Sequence, residues 1–226
     1  MVQNSGNYSI ELPMEEPNNL QRKLKSIVQE FNMRITVLLL ILLKVNTLSA
    51  QNITAEQLSN AALELTKQKV EYYPGYIRIA YPNGDVPANK GVCTDVIIRA
   101  YRKLGIDLQK EVHEDMAKNF HLYQKNWGLK KPDTNIDHRR VPNLMVYFKR
   151  FGMVKSITQN PNDYKPGDIV CWNLSGGITH IGIVVNKRTT DGNRYLIVHN
   201  IGAGQVLEDC LFSFKIIGHY TYGIAP

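Results

Sequence analysis

Three cysteines among 226 residues are too few, and odd in number, for a disulfide framework. None sits in a Cys-x-x-Cys pair, and no His/Cys cluster has zinc spacing, so a structural zinc module is excluded and no metal or cofactor is expected. There is no internal repeat, which excludes solenoids and propellers, and no low-complexity tract. No stripe of Lys and Arg interleaved with aromatics suggests nucleic acid. The longest apolar run, Val37-Leu38-Leu39-Leu40-Ile41-Leu42-Leu43, is too short to span a bilayer.

That run has the makings of a targeting segment. Met33-Arg34-Ile35-Thr36 gives a basic start, and Asn46-Thr47-Leu48-Ser49-Ala50 a small, polar exit. Together they read as a secretory signal peptide over 33–50, cleaved after Ala50. Residues 1–32 then form an extension outside any domain, and 51–226 one domain, long enough to bury a single core. A secreted or periplasmic location follows, with no membrane span after cleavage. The formal charge of +7 is a moderate basic excess, compatible with an anionic partner but ordinary for a soluble surface.

Patterning places helices first and a sheet last. Thr54 and Gln57 form a capping box for a helix over 55–70. Ile77-Arg78-Ile79-Ala80-Tyr81 reads as a short strand before the Pro82-Asn83-Gly84-Asp85 turn. Helices are expected over 93–104, stopped by Gly105, over 108–126, and from Pro142 through Phe151. From 167 onward, alternating runs predict antiparallel strands: Ile169-Val170-Cys171-Trp172, Thr179-His180-Ile181-Gly182-Ile183-Val184, Arg194-Tyr195-Leu196-Ile197-Val198-His199, and Phe214 to Tyr222. The fold class is α+β, helices packed on one antiparallel sheet.

Cys93 is the most informative residue. Polar, Gly-containing chain, Asn89-Lys90-Gly91-Val92, leads to it, and a helical pattern begins at once. A thiol in the first turn of a helix meets unpaired N–H groups and the positive end of the macrodipole, so its pKa is expected to fall. Two histidines supply what such a thiol needs. A hairpin across Asp191-Gly192 brings His180 and His199 to the same end of adjacent strands, and Gly182 leaves the face beside His180 open. One histidine suits the general base and the other its orienting partner, with Asn200 an alternative third member. Cys93, His180 and His199 would supply only three metal ligands, and a helix-start cysteine fits nucleophilic work better. Cys171 and Cys210 read as small buried hydrophobes, with a Cys171–Cys210 pairing as the alternative.

Asp137-His138-Arg139-Arg140 is a second cluster. Arg139 and Arg140 suit substrate carboxylates, and His138 competes for the base role. Equally, the block could lock its loop to the helix at Pro142 through Asp137–Arg pairs. Asp95, placed on the exposed side of the first helical turn, is expected to supplement the cap or meet substrate, together with Asp137. Asp168 is expected to shape the turn into its strand.

The chain resembles the bacterial family called domain of unknown function 1287, and through it the NlpC/p60 papain-like cysteine peptidases. The resemblance covers roughly 55–226. It rests on Val92-Cys93-Thr94-Asp95-Val96, Asp107-Leu108-Gln109, the block Asp133 to Leu144, Pro166-Gly167-Asp168-Ile169-Val170 and His180-Ile181-Gly182-Ile183-Val184. It implies a papain-like fold and a Cys-His-polar triad cleaving an amide bond in peptidoglycan peptides. The alternatives are an acyltransferase or thioesterase using the same Cys-His pair, and a non-catalytic cell-wall-binding module.

Overall fold

The structure is a computed structural model that describes residues 17–45, 53–123 and 128–224. The chain divides into two units, Met1–Ser49 and Ala50–Pro226. In the first, helix α1 (Pro17–Val45) runs through the apolar segment. Among the described residues no helix is long and apolar enough to cross a membrane. The expected cleavage point after Ala50 lies outside the described residues.

The second unit is α+β. Helices α2 (Ala55–Leu65), α3 (Cys93–Lys103), α4 (Leu108–Asn119) and α5 (Val141–Phe151) precede most of the sheet. Two short strands, β1 (Glu71–Tyr72) and β2 (Lys90–Gly91), pair in parallel just before α3. The main sheet holds β3 (Met153–Val154), β4 (Ile169–Asn173), β5 (Thr179–Arg188), β6 (Tyr195–His199), β7 (Val206–Glu208) and β8 (Lys215–Thr221) in the order β3-β8-β4-β5-β6-β7, and every pairing is antiparallel.

The expected caps form. Thr54 Oγ1 accepts from Gln57 N–H at 3.1 Å, and Gln57 Oε1 accepts from Thr54 N–H at 2.8 Å. Gly105, at φ +82°, takes the left-handed conformation that ends α3. Three expectations need correction. The first helix stops at Leu65 rather than residue 70, because Thr66, Lys67 and Gln68 turn back on Leu63, Glu64 and Leu65. Residues 77–81 join no ladder: Ile79 N–H bonds the Asn135 side chain and the Ala80 carbonyl accepts from Gln109. The third helix ends at Asn119 and continues as a 3₁₀ turn, Phe120–Leu122; the remainder of its expected span, with Trp127, lies outside the described residues. Strands β1, β2, β3 and β7 are short enough to leave no alternating pattern.

The sheet separates two cores. Its helix-covered face buries Ile169, Cys171, Ile181, Ile183, Val185 and Val198 against Leu58, Ile97, Leu144, Phe148 and other helix residues. The opposite face carries Val170, Trp172, Val184 and Ile197, packed with Tyr164, Cys210 and Leu211. Each fully buried large side chain contributes about 1.5–3 kcal/mol, so the helices and sheet hold each other in place. By strand alternation His180 and Gly182 share the second face with Val184, and His199 shares it with Ile197. Cys171 lies in the first core and Cys210 in the second, and both are free thiols, so no Cys171–Cys210 bridge forms.

Candidate active site

Cys93 is the first residue of α3, and the α3 entrance is over-determined. Asp95 Oδ2 accepts the Val92 N–H at 2.7 Å, a side-chain cap supplied from the third helical position. Arg139 closes on the same carboxylate with two bonds, Nε to Oδ1 at 2.9 Å and Nη2 to Oδ2 at 3.0 Å. Both side chains are buried, so Asp95 is not the exposed helix-start residue expected. Its carboxylate faces inward because it holds the chain entering α3 to the 3₁₀ turn Asp137–Arg139. Asn200 adds a third tie, its Nδ2 donating to the Gly91 carbonyl at 3.3 Å. Arg99 holds the loop in front of β2 by donating to Asp85 and the Lys90 carbonyl.

The thiol sits between the helix start and β5. Backbone N–H groups of Ile181, Thr94 and Cys93 itself point at the sulfur. They favour the thiolate, but burial outweighs them and, with Asp95 nearby, pushes the thiol up to about 12. The expected fall in pKa is therefore not found. At neutral pH Cys93 is a neutral thiol that needs a base to remove its proton.

The histidines form the expected pair. His180 Nε2 and His199 Nδ1 are 2.8 Å apart. Gly182 permits this: a Cβ there would lie 2.6 Å from Ile197 Cγ2 and 3.1 Å from His199 Cβ. His199, and not Asn200, contacts His180. Burial, followed by the neighbouring His199, pushes His180 down to about 3. Burial also lowers His199, although Glu208 opposes the shift. Both rings are therefore neutral at pH 7. His199 Nε2 lies 2.9 Å from Glu208 Oε2 and 3.5 Å from Cys210 Sγ.

This geometry orders the protons. A carboxylate only accepts, so Glu208 draws the His199 proton to Nε2. His199 Nδ1 is then bare and accepts from His180 Nε2–H. His180 Nδ1 is left without a proton, which is the state a general base needs. Glu208, which sequence reasoning missed, sets this tautomer chain. Its only signal was a carboxylate two residues before Cys210, in a strand too short to show a period. Among the described residues no hydrogen bond joins Cys93 to His180. The thiol reaches β5 at the Ile181 N–H, next to the histidine, while the imidazole lies on the sheet face away from α3.

A cleft of about 200 Å³ opens over the thiol, lined by Tyr72, Pro74, Val92, Cys93, Arg139, Arg140, Val141 and Thr179 among others. Tyr72 enters it from β1, paired with Gly91; its phenol is pushed up by burial and then by Cys93 and Asp95. No periodicity marked Tyr72. Arg140 reaches the cleft, whereas the Arg139 guanidinium is committed to Asp95.

Asp137 and His138 do not line this cleft. Asp137 is buried and accepts from the Asp133 N–H at 2.7 Å and faces His113 Nδ1 at 3.1 Å. Arg139 pairs with Asp95 rather than Asp137, and Asn143 ties the turn to α5 by donating from Nδ2 to the Asp137 carbonyl at 2.9 Å. His138 is buried beside Arg139 and Arg102, and burial first, then those charges, pushes it down to about 3. Asp168 does shape its turn, accepting the Lys165 N–H at 2.8 Å, and also binds Lys155 and His219.

The sequence pattern described as domain of unknown function (DUF1287) matches residues 59–222, which hold the whole of this site. The chain belongs to that family. It is also similar to a protein of Escherichia coli (strain K12) described as uncharacterized protein YijF, with 54% identity over 151 residues, covering 67% of this chain and 73% of the relative.

Proposed function

We propose that this DUF1287 protein is a secreted cysteine hydrolase that cleaves an amide bond, with a papain-like arrangement of the NlpC/p60 kind. One observation carries the reading. A helix-start thiol lies on the floor of a cleft, beside the strand end that bears a His–His–Glu chain. Cys93 attacks the carbonyl. His180 Nδ1 accepts the thiol proton and returns it to the leaving amine; it then takes a proton from water, whose oxygen displaces Cys93 from the acyl group, and the acid and the thiol are released. His199 and Glu208 position the imidazole and fix its tautomer. The Thr94 and Ile181 N–H groups that face the sulfur are candidates for the oxyanion donors. Arg140 suits a carboxylate of the substrate. With the family resemblance, these features favour a peptidoglycan peptide as substrate. Proton transfer requires thiol and imidazole to close up when substrate binds, as catalytic hydrogen bonds often do.

The cleft carries Arg139, Arg140 and Thr179 on its walls, which suits a polar peptide better than the apolar acyl chain of the rival acyltransferase or thioesterase. The raised thiol pKa and the lack of a Cys93–His180 bond favour the other rival, a non-catalytic wall-binding module. The same experiment separates them. Purified protein and its Cys93→Ala variant are incubated with intact peptidoglycan and defined muropeptides, and products are read by mass spectrometry. A product made only by the native protein is expected. Binding of muropeptides without any product would establish the binding module.

A further inference from the structure

The far end of the histidine chain carries a second set of donors. His199 Nε2, the Glu208 carboxylate and Cys210 Sγ converge so that all three ligand atoms lie within 4.8 Å of one another. His199 Nε2 is 3.5 Å from the sulfur and 2.9 Å from the carboxylate. Around a tetrahedral zinc, with bonds of about 2.0–2.3 Å, adjacent ligand atoms sit roughly 3.3–3.6 Å apart. From His199 the sulfur is already at that separation and the carboxylate a few tenths of an ångström inside it, while the exposed Glu208 side chain can swing to set its distance from the sulfur. Two donors are anchored: His199 is 1% exposed and Cys210 7%. Glu208 is exposed, which gives an ion a way in and leaves a fourth position for water. Thiolate, imidazole and carboxylate together suit zinc rather than calcium or magnesium.

We propose that His199, Glu208 and Cys210 bind a thiophilic divalent cation of the zinc class, and that the bound ion switches off the base beside Cys93. The second half rests on the hydrolase reading. Without the ion, one proton sits on His199 Nε2 facing Glu208, and one on His180 Nε2 facing His199. The ion takes His199 Nε2, so that proton moves to His199 Nδ1, which then donates to His180 Nε2. The His180 proton moves in turn to Nδ1. Both imidazole protons are kept, each on the other nitrogen, and the Cys210 thiol proton leaves to solvent. His180 Nδ1 now carries a hydrogen and cannot accept one from Cys93. Binding therefore silences the nucleophile without occupying the cleft.

The test uses the whole chain, freed of metal, titrated with Co²⁺ as a spectroscopic probe and with Zn²⁺. A cobalt–thiolate charge-transfer band is expected in the native protein and in Cys93→Ala, and is expected to vanish in Cys210→Ser. Glu208→Gln is expected to weaken cobalt binding by about tenfold or more; it stands in if Cys210→Ser fails to fold. Zn²⁺ is expected to slow iodoacetamide labelling of Cys93, read by peptide mass spectrometry, in the native protein and not in Cys210→Ser. No band in the native protein, or a band that survives Cys210→Ser, overturns the metal site. Zinc slowing Cys93 equally in both proteins overturns the switch. A band at this site together with no hydrolysis and no zinc effect on Cys93 refutes the hydrolase reading and leaves the metal site standing.

Discussion

One face of the sheet carries two chains of hydrogen-bonded titratable groups, and they differ at their ends. His180, His199 and Glu208 run from beside Cys93 and its cleft to an exposed carboxylate. His219, Asp168 and Lys155 lie under β8 and β4, where Val170 pairs with His219. That second chain is closed off. His219 Nδ1 donates to the Ser156 carbonyl at 2.9 Å, Tyr164 stacks on the ring at 4.3 Å, and both Asp168 oxygens hold Lys155. A buried Asp–His pair is thus no sign of a site by itself. Asp168 and His219 of the second chain are buried and spent on each other, Lys155 and Ser156, while the first chain runs out to Glu208, an exposed carboxylate.

Paired substitutions give the largest expected contrast. His180→Ala is expected to lower hydrolysis by about 10³-fold or more, with the urea midpoint little changed. Asp168→Ala is expected to do the opposite. It strands Lys155 and His219 without their carboxylate and is expected to cost about 3–5 kcal/mol, with activity per folded molecule retained. Chemical denaturation and turnover on the same preparations decide this. If Asp168→Ala abolished turnover in a protein of native stability, the two chains would have to exchange roles.

The same contrast explains what could be read from the sequence. Cys93, His180 and His199 were legible because each sits in a long element with a clear period or cap. The hairpin across Asp191-Gly192 then brought the histidines together, and Gly182 announced the close approach. Asp95 was misplaced for a different reason. A helix-start carboxylate looks alike in sequence whether it meets solvent or a guanidinium 44 residues away, and only tertiary packing decides. Tyr72 and Glu208 lie in strands too short to leave a period. Burial of the thiol likewise comes from the assembled core, which is why the helix-start argument gave the wrong direction for its pKa.

Acid provides the next test. Burial holds His180 and His138 at about 3 and also lowers His199, against an ordinary value of 6.5. These rings stay neutral in the fold while the unfolded chain takes up protons below about pH 6.5. The folded state is therefore disfavoured as pH falls from about 6.5 toward 3, by up to about 1.4 kcal/mol per pH unit for each of His180 and His138, with His199 acting in the same direction, and these rings have no effect above that window. Urea midpoints measured from pH 8 to pH 4 should be flat and then fall. His138→Gln should remove part of the slope without touching turnover, and His180→Gln should remove part of the slope and the turnover together. Loss of turnover in His138→Gln at native stability would mean that the cluster around the 3₁₀ turn belongs to the chemistry.

The smallest effect tests how closely the working chain is fitted. Gly182→Ala places a methyl group 2.6 Å from Ile197 Cγ2 and 3.1 Å from both His199 Cβ and the Val198 carbonyl. Strands β5 and β6 must part slightly to admit it, at about 1–3 kcal/mol. The same displacement stretches the 2.8 Å His180–His199 bond, and the tautomer chain depends on that contact. Turnover at saturating substrate is therefore expected to fall more steeply than stability predicts, with KM little changed, because the cleft residues do not move. A variant that lost stability but kept its full turnover would show that His180 works without His199. Glu208, and a cation bound there as proposed, would then have no path to the nucleophile.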